Sequence, residues 1–122
     1  MILYTSGTTG RPKGCITTHR GTIAQVVGIV FASLAGALMG GVSPIPGAGG
    51  QPTNLLTTPL FHVGGLHSVV CTALTAGAKL VFLEGKFDPV KVMQTIERER
   101  VTMWSSVPTM LHRVVHHDDV PK

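Results

Sequence analysis

The residues best equipped for chemistry lie close together near the start of the chain. They form the run Tyr4-Thr5-Ser6-Gly7-Thr8-Thr9-Gly10-Arg11-Pro12-Lys13-Gly14. Thr5, Ser6, Thr8 and Thr9 supply hydroxyl donors, and Gly7, Gly10 and Gly14 let the backbone turn tightly and bring N–H groups up to a ligand. Lys13 adds a compact positive charge of the kind that phosphate oxygens attract. The chemistry implied is an oxyanion cradle. A Gly/Ser/Thr-rich surface turn is the structural alternative, but turn chemistry alone does not call for so dense a set of donors.

The elements around this run narrow its geometry. β-type residues precede it (Met1-Ile2-Leu3-Tyr4) and follow it (Cys15-Ile16-Thr17-Thr18), so the loop is expected to join two strands. A Walker A loop is excluded. That motif sets its lysine after glycine and before Ser or Thr, whereas Lys13 stands between Pro12 and Gly14.

A second candidate is His62, within Pro59-Leu60-Phe61-His62-Val63-Gly64-Gly65-Leu66. It falls between a strand pattern and a helix pattern, where ligands gather in open α/β sheets, and the two glycines give close access. A helix-capping or packing histidine is the alternative. His67, five positions on, is expected to face elsewhere. His112, His116 and His117 have i, i+4 spacing but no further partner except Asp118 and Asp119 in a polar tail, so they read as a solvated helix end and no metal site is assigned.

Both motifs closely resemble those of the adenylate-forming superfamily, which includes acyl-CoA synthetases, luciferases and the adenylation domains of peptide synthetases. Residues 4–14 resemble its phosphate-binding signature, Thr18-His19 the pair that opens the next helix, and residues 59–66 its aromatic motif. The resemblance extends over essentially the whole chain. It implies an enzyme that joins ATP, with Mg²⁺, and a carboxylic acid into an acyl-adenylate, then transfers the acyl group to a thiol, usually coenzyme A. It further implies that Thr5, Ser6, Gly7, Thr8, Thr9, Gly10, Lys13 and Gly14 hold the β- and γ-phosphates. His62 would position substrate near the acyl carboxylate and thiol tunnel. The LFHVGGL wording leans towards fatty-acyl or aryl-acid ligases.

Other family elements are missing from these 122 residues: a Tyr-Gly-x-Thr-Glu segment, a Thr-Gly-Asp, and a C-terminal domain with its adenylation lysine. The chain is accordingly expected to be an internal piece of the large N-terminal domain of a fatty-acid–CoA ligase, inactive in isolation. A generic phosphate-binding module and an inert structural remnant are the other two classes.

Composition sets the remaining bounds. A hydrophobic share of 43% with only 13% charged residues is greasy for a soluble domain, the charged share being about half the usual one. The net charge of +4 suits an anionic ligand. The basic residues are scattered without interleaved aromatics, which argues against nucleic acid. Cys15 and Cys71 lie in apolar runs and read as reduced thiols. No cleavable signal peptide is visible, so a cytoplasmic protein is expected.

Strand and helix signals alternate along the chain. Residues 23–39 are almost wholly apolar and predict a buried or partner-covered helix. Membrane contact is disfavoured by Gln25, Ser33 and the lack of flanking anchors. Residues 40–53 form a Pro/Gly-rich connection, expected to run mobile over the surface. Strands are predicted over 54–58, 79–83 and 101–105. Helices are predicted over 63–75, closed by Gly77, from Asp88-Pro89 onward, and from Pro108 to His116. The fold class expected is α/β, a mixed or parallel sheet flanked by helices. Charge poverty and the apolar helix together predict self-association.

Overall fold

The computed structural model describes residues 1–7, 10–40 and 50–120. Thr8, Thr9 and most of the Pro/Gly-rich connection (residues 41–49) therefore lie outside the described residues.

The chain opens with an antiparallel hairpin of β1 (Ile2–Thr5) and β2 (Lys13–Ile16), in which Ile2 faces Ile16 and Thr5 faces Lys13. The loop joins two strands, as expected, but β2 begins at Lys13 instead of Cys15 and releases Thr17 and Thr18. Thr18 takes another task. Its side chain accepts a 3.0 Å hydrogen bond from the Gly21 N–H and caps helix α1 (His19–Met39).

Of the two expectations for α1, burial or cover by a partner, burial by the described residues is overturned. Among its residues only Val26 is buried, although nearly every position is apolar. One side rests on the helical segment 64–75. Ile23, Val27, Phe31, Leu34 and Leu38 all stay exposed, Phe31 at 70%. By length and composition the helix could also cross a membrane.

The centre of the fold is a three-stranded parallel sheet in the order β4 (Lys79–Phe82), β3 (Thr53–Leu56), β5 (Met103–Ser105). Parallel strands need crossovers, and the chain supplies two. A π-helix, Gly64–Cys71, continuing into α2 (Thr72–Thr75), links β3 to β4, and α3 (Pro89–Glu99) links β4 to β5. The last helix is α4 (Pro108–Val115).

The core lies between the sheet and α3/α4. Leu55 from the middle strand, Val92 and Val114 form its buried centre, with Val81, Phe87, Ile96 and Trp104 packed around them. Leu55 is fully buried, a placement that stabilises by about 1.5–3 kcal/mol. The strands are shorter than their sequence patterns. At β5 the side chain of Thr102 substitutes for a ladder contact: its hydroxyl accepts from the Thr53 N–H at 2.9 Å.

Helix starts follow the predicted chemistry. Asp88 accepts from the N–H groups of Val90 (2.9 Å) and Lys91 (3.4 Å), with Pro89 at the first helical position. Helix 63–75 differs from expectation in kind. Its first two turns are π-helical, a form that is rare and mostly confined to short bulges, often at functional sites.

Candidate functional site

The hairpin sets out the anion-binding candidates in order. Thr5 ends β1 and Lys13 begins β2, and the two are register partners. The Thr5 hydroxyl donates to the Lys13 carbonyl at 3.5 Å, a long, weak bond that its single proton can exchange for a better acceptor. Gly14 follows Lys13 and pairs with Tyr4. Gly7 has φ 66°, and a Cβ there would collide with the carbonyl oxygen of Arg11. Only glycine fits that turn. Gly10 is left-handed as well, with φ 77°. Ser6, Arg11 and Lys13 are exposed. The hairpin thus presents a lysine, a neighbouring arginine and hydroxyls to solvent from a tightly turned backbone, an arrangement suited to receiving an anion from outside.

His62 occupies the turn between β3 and the π-helix. Its N–H donates to Pro59 O and its carbonyl accepts from Leu66 N–H, both at 3.1 Å. The ring is exposed, and Nδ1 accepts a 3.1 Å hydrogen bond from the Gly64 N–H. The capping role left open in the sequence is thus present in the structure. It has a chemical consequence. A nitrogen that accepts from a backbone N–H carries the lone pair, so in the neutral ring Nε2 holds the proton and is a donor. Gly65 seals the turn, because a Cβ there would meet the Pro59 carbonyl oxygen. Among the described residues no hydrogen bond joins the hairpin to this turn.

A cleft of about 300 Å³ opens at the carboxyl ends of β3 and β4, where open α/β sheets receive ligands. Leu56, Leu60, Phe82, Leu83 and Phe87 give it an apolar lining, and Thr57 and Thr58 supply hydroxyls. Trp104 donates its indole N–H to Thr57 Oγ1 at 3.0 Å, holding one wall while its ring packs on the core.

His67 faces elsewhere than the exposed His62, as expected. His67 is fully buried, with Nδ1 3.0 Å from Gln25 Oε1 on α1, while its Nε2 is buried without a partner among the described residues. The available signal for this contact was Gln25 itself. A single long polar side chain in an apolar helix must find a polar partner when that face is covered.

The remaining histidines do not assemble. The rings of His112 and His116 lie 4.2 Å apart on exposed α4, and His117 Nδ1 faces Asp119 Oδ2 at 3.4 Å. Among the described residues no three metal-ligating side chains converge. The strongest electrostatic perturbation lies away from the cleft. Hydrogen bonds from Lys79 and then Arg98 hold the Glu99 carboxyl down at about 2, well below the ordinary carboxylate range.

Comparison with known proteins supplies the context. The family profile described as AMP-binding enzyme matches residues 1–122. A 4-coumarate–CoA ligase of Oryza sativa is 35% identical over 115 residues, covering 94% of this chain and 20% of that protein. A long-chain-fatty-acid–CoA ligase of Bacillus subtilis is 30% identical over 120 residues, covering 98% of this chain and 19% of that protein. The o-succinylbenzoate coenzyme A synthetase of Bacillus subtilis, solved with ATP and magnesium ion, superposes with a TM-score of 0.63. It shares 32% identity across 99% of this chain and 22% of its own. The chain therefore spans about a fifth of the length of the curated relatives it matches. Its α/β architecture, its two motifs and the profile match over residues 1–122 agree, and the chain belongs to the AMP-binding enzyme family.

Proposed function

We propose that this chain supplies the phosphate-facing hairpin and the aromatic-motif turn of an ATP-dependent acid–thiol ligase. Such an enzyme adenylates a carboxylic acid, releases pyrophosphate and passes the acyl group to coenzyme A. The observation that carries the reading is the profile match across residues 1–122, together with relatives named as CoA ligases or a CoA synthase.

In this reading Thr5, Ser6, Gly7, Thr8, Thr9, Gly10, Lys13 and Gly14 bind the β- and γ-phosphates. Charge shifts onto the departing pyrophosphate as the acyl–adenylate bond forms, and fixed donors aimed at those oxygens stabilise it without reorganising. The donor set fits phosphate and not a cation, since residues 4–14 include no carboxylate. Mg²⁺ would arrive with the ATP and screen the same charge. His62, with Nδ1 engaged by Gly64, would offer Nε2–H to a carboxylate or acyl oxygen.

The acid proposed is a hydrophobic one, a fatty acid first. Its support is the apolar lining of the cleft beside the aromatic motif and the LFHVGGL wording. The relatives act on coumarate, indoleacetate and fatty acids by name, so an aryl acid is the competing substrate. ATP–pyrophosphate exchange by the complete protein with a panel of fatty and aryl acids tests both levels. Acid-dependent exchange supports the ligase, and its chain-length profile decides the acid. ATP binding with no exchange for any acid would leave a nucleotide-binding module instead.

A further inference from the structure

We propose that His67 is a positioning residue: anchored by Gln25, it fixes the π-helical register that seats His62. The inference rests on the reading of His62 as the histidine that faces substrate.

Several observations carry it. First, the two histidines belong to one hydrogen-bonded unit. His62 accepts at Nδ1 from Gly64, the first residue of the π-helix, and its carbonyl accepts from Leu66. His67 comes next in the same helix. Second, that helix begins with Gly64 and Gly65, which have little helical preference of their own, and π geometry is intrinsically unfavoured. Something outside the segment must hold it. Third, among the described residues the side-chain hydrogen bond that ties the π-helix to another element is His67 Nδ1 to Gln25 Oε1, at 3.0 Å across 42 residues of sequence. Fourth, this bond is isolated. Nε2 of the buried ring has no partner among the described residues, so nothing else orients the imidazole by polar contact.

The burial makes the bond decisive. With Gln25 Oε1 as acceptor, Nδ1 of His67 carries the proton, and losing that acceptor leaves both ring nitrogens unsatisfied in the interior. The helix then gains by rotating or by reverting to α register, which releases the ring. Either movement shifts the Gly64 N–H, and with it the hydrogen bond that fixes the His62 tautomer. His67 thereby acts on chemistry it does not touch. Misplacing a positioned group by about 1 Å can cost on the order of a hundredfold in rate.

The test uses the complete protein labelled with ¹⁵N-histidine, and reads the His62 imidazole shifts and steady-state kinetics. Wild type is expected to show His62 with a bare Nδ1 and a protonated Nε2. Gln25→Leu should average the two His62 tautomers and lower kcat/KM for the acid roughly ten- to a hundredfold. KM for ATP should stay near wild type. Gln25→Glu, which keeps an acceptor oxygen at the same reach, should restore the tautomer. His67→Phe, which fills the volume without a hydrogen bond, should repeat the Gln25→Leu result. A folded Gln25→Leu or His67→Phe protein with the wild-type His62 tautomer overturns the proposal. So does failure of both variants to fold, which would make the pair structural only. If the tautomer coupling holds but His62→Ala keeps full activity, the latch stands and the role of His62 falls.

Discussion

Lys79 Nζ lies 2.8 Å from Glu99 Oε2, tying the first residue of β4 to the last residue of α3. Arg98 contacts the other carboxylate oxygen, also at 2.8 Å. Two donors on one carboxylate favour its charged form, and the Glu99 carboxyl titrates at about 2 instead of its ordinary 4.5. As pH falls below 4.5 the unfolded chain takes up this proton first, so folding stability declines with pH across that interval. The contribution is complete above 4.5 and gone below about 2. The effect is expected to be small, because the pair faces solvent and salt screens it. Urea midpoints of wild type and Glu99→Gln should differ at neutral pH and converge by pH 2. A constant gap would assign the difference to something other than the carboxylate charge.

Arg100, which ends α3, has φ 51° and is the only non-glycine residue with positive φ among those described. Around it the Val101 N–H reaches Ile96 O at 3.0 Å, closing the helix in the usual glycine-ended pattern. The left-handed conformation costs a side-chain-bearing residue roughly 1–2 kcal/mol. Part of that is returned because glycine loses more freedom on folding, about 0.4–1 kcal/mol. Arg100→Gly should therefore raise stability slightly, by up to about 1 kcal/mol in denaturant unfolding. A lower midpoint would mean that the guanidinium makes a contribution beyond the backbone.

What could be read from residues alone divides along a physical line. The cap at Asp88, the glycine stop at Gly77 and the strand–helix alternation are local chemistry, and the structure has them where the residues point, whereas the Thr18 cap falls in a run that reads as strand. The hairpin loop was likewise legible, since Gly7 and Gly10 answer to backbone angles only glycine tolerates. The environment of α1 was not. Apolarity on all sides fits burial, but whether anything covers a face depends on elements distant in sequence, and only Val26 is enclosed. The π register of residues 64–71 was illegible for a similar reason. Nothing in Gly64-Gly65-Leu66 favours it, and the anchor that can hold it, Gln25, lies on another helix. Long-range pairs decide such features, and a single sequence does not display them.

The hairpin reading makes a kinetic prediction for the complete enzyme. Lys13 is exposed at the start of β2, with no ion-pair partner among the described residues. If it meets phosphate, Lys13→Ala removes a charge-assisted contact worth roughly 1.5–3 kcal/mol. That corresponds to about ten- to a hundredfold in kcat/KM for adenylation, followed by pyrophosphate exchange. Thioester formation from a supplied acyl-adenylate involves no β- or γ-phosphate and should change little. Equal loss in both half-reactions would make the lysine structural.

The exposed face of α1 carries the last prediction, for a polypeptide of residues 1–122 on its own. Ile23, Val27, Phe31, Leu34 and Leu38 recur at helical spacing, and all are exposed. They form one apolar stripe along the helix. Contiguous apolar patches beyond a few hundred Å² are rare on monomers. Burying such a stripe is favourable by roughly 25 cal/mol per Å². Polar rivals for the face are few, since Ser33 is the only hydroxyl between Thr22 and Met39 and the helix has no acidic residue. The polypeptide should therefore self-associate as concentration rises, and mild detergent should reverse it. Val27→Lys with Phe31→Glu places opposite charges one turn apart on the stripe. The pair keeps local helix support while removing the apolar drive. Sedimentation velocity over a concentration series should show the double variant shifted toward monomer and the wild type toward larger species. If the two sediment alike as monomers and neither binds a hydrophobic dye, the stripe is not a driving surface. If both associate alike, the contact lies elsewhere, with the open edges of the three-stranded sheet as the next candidate.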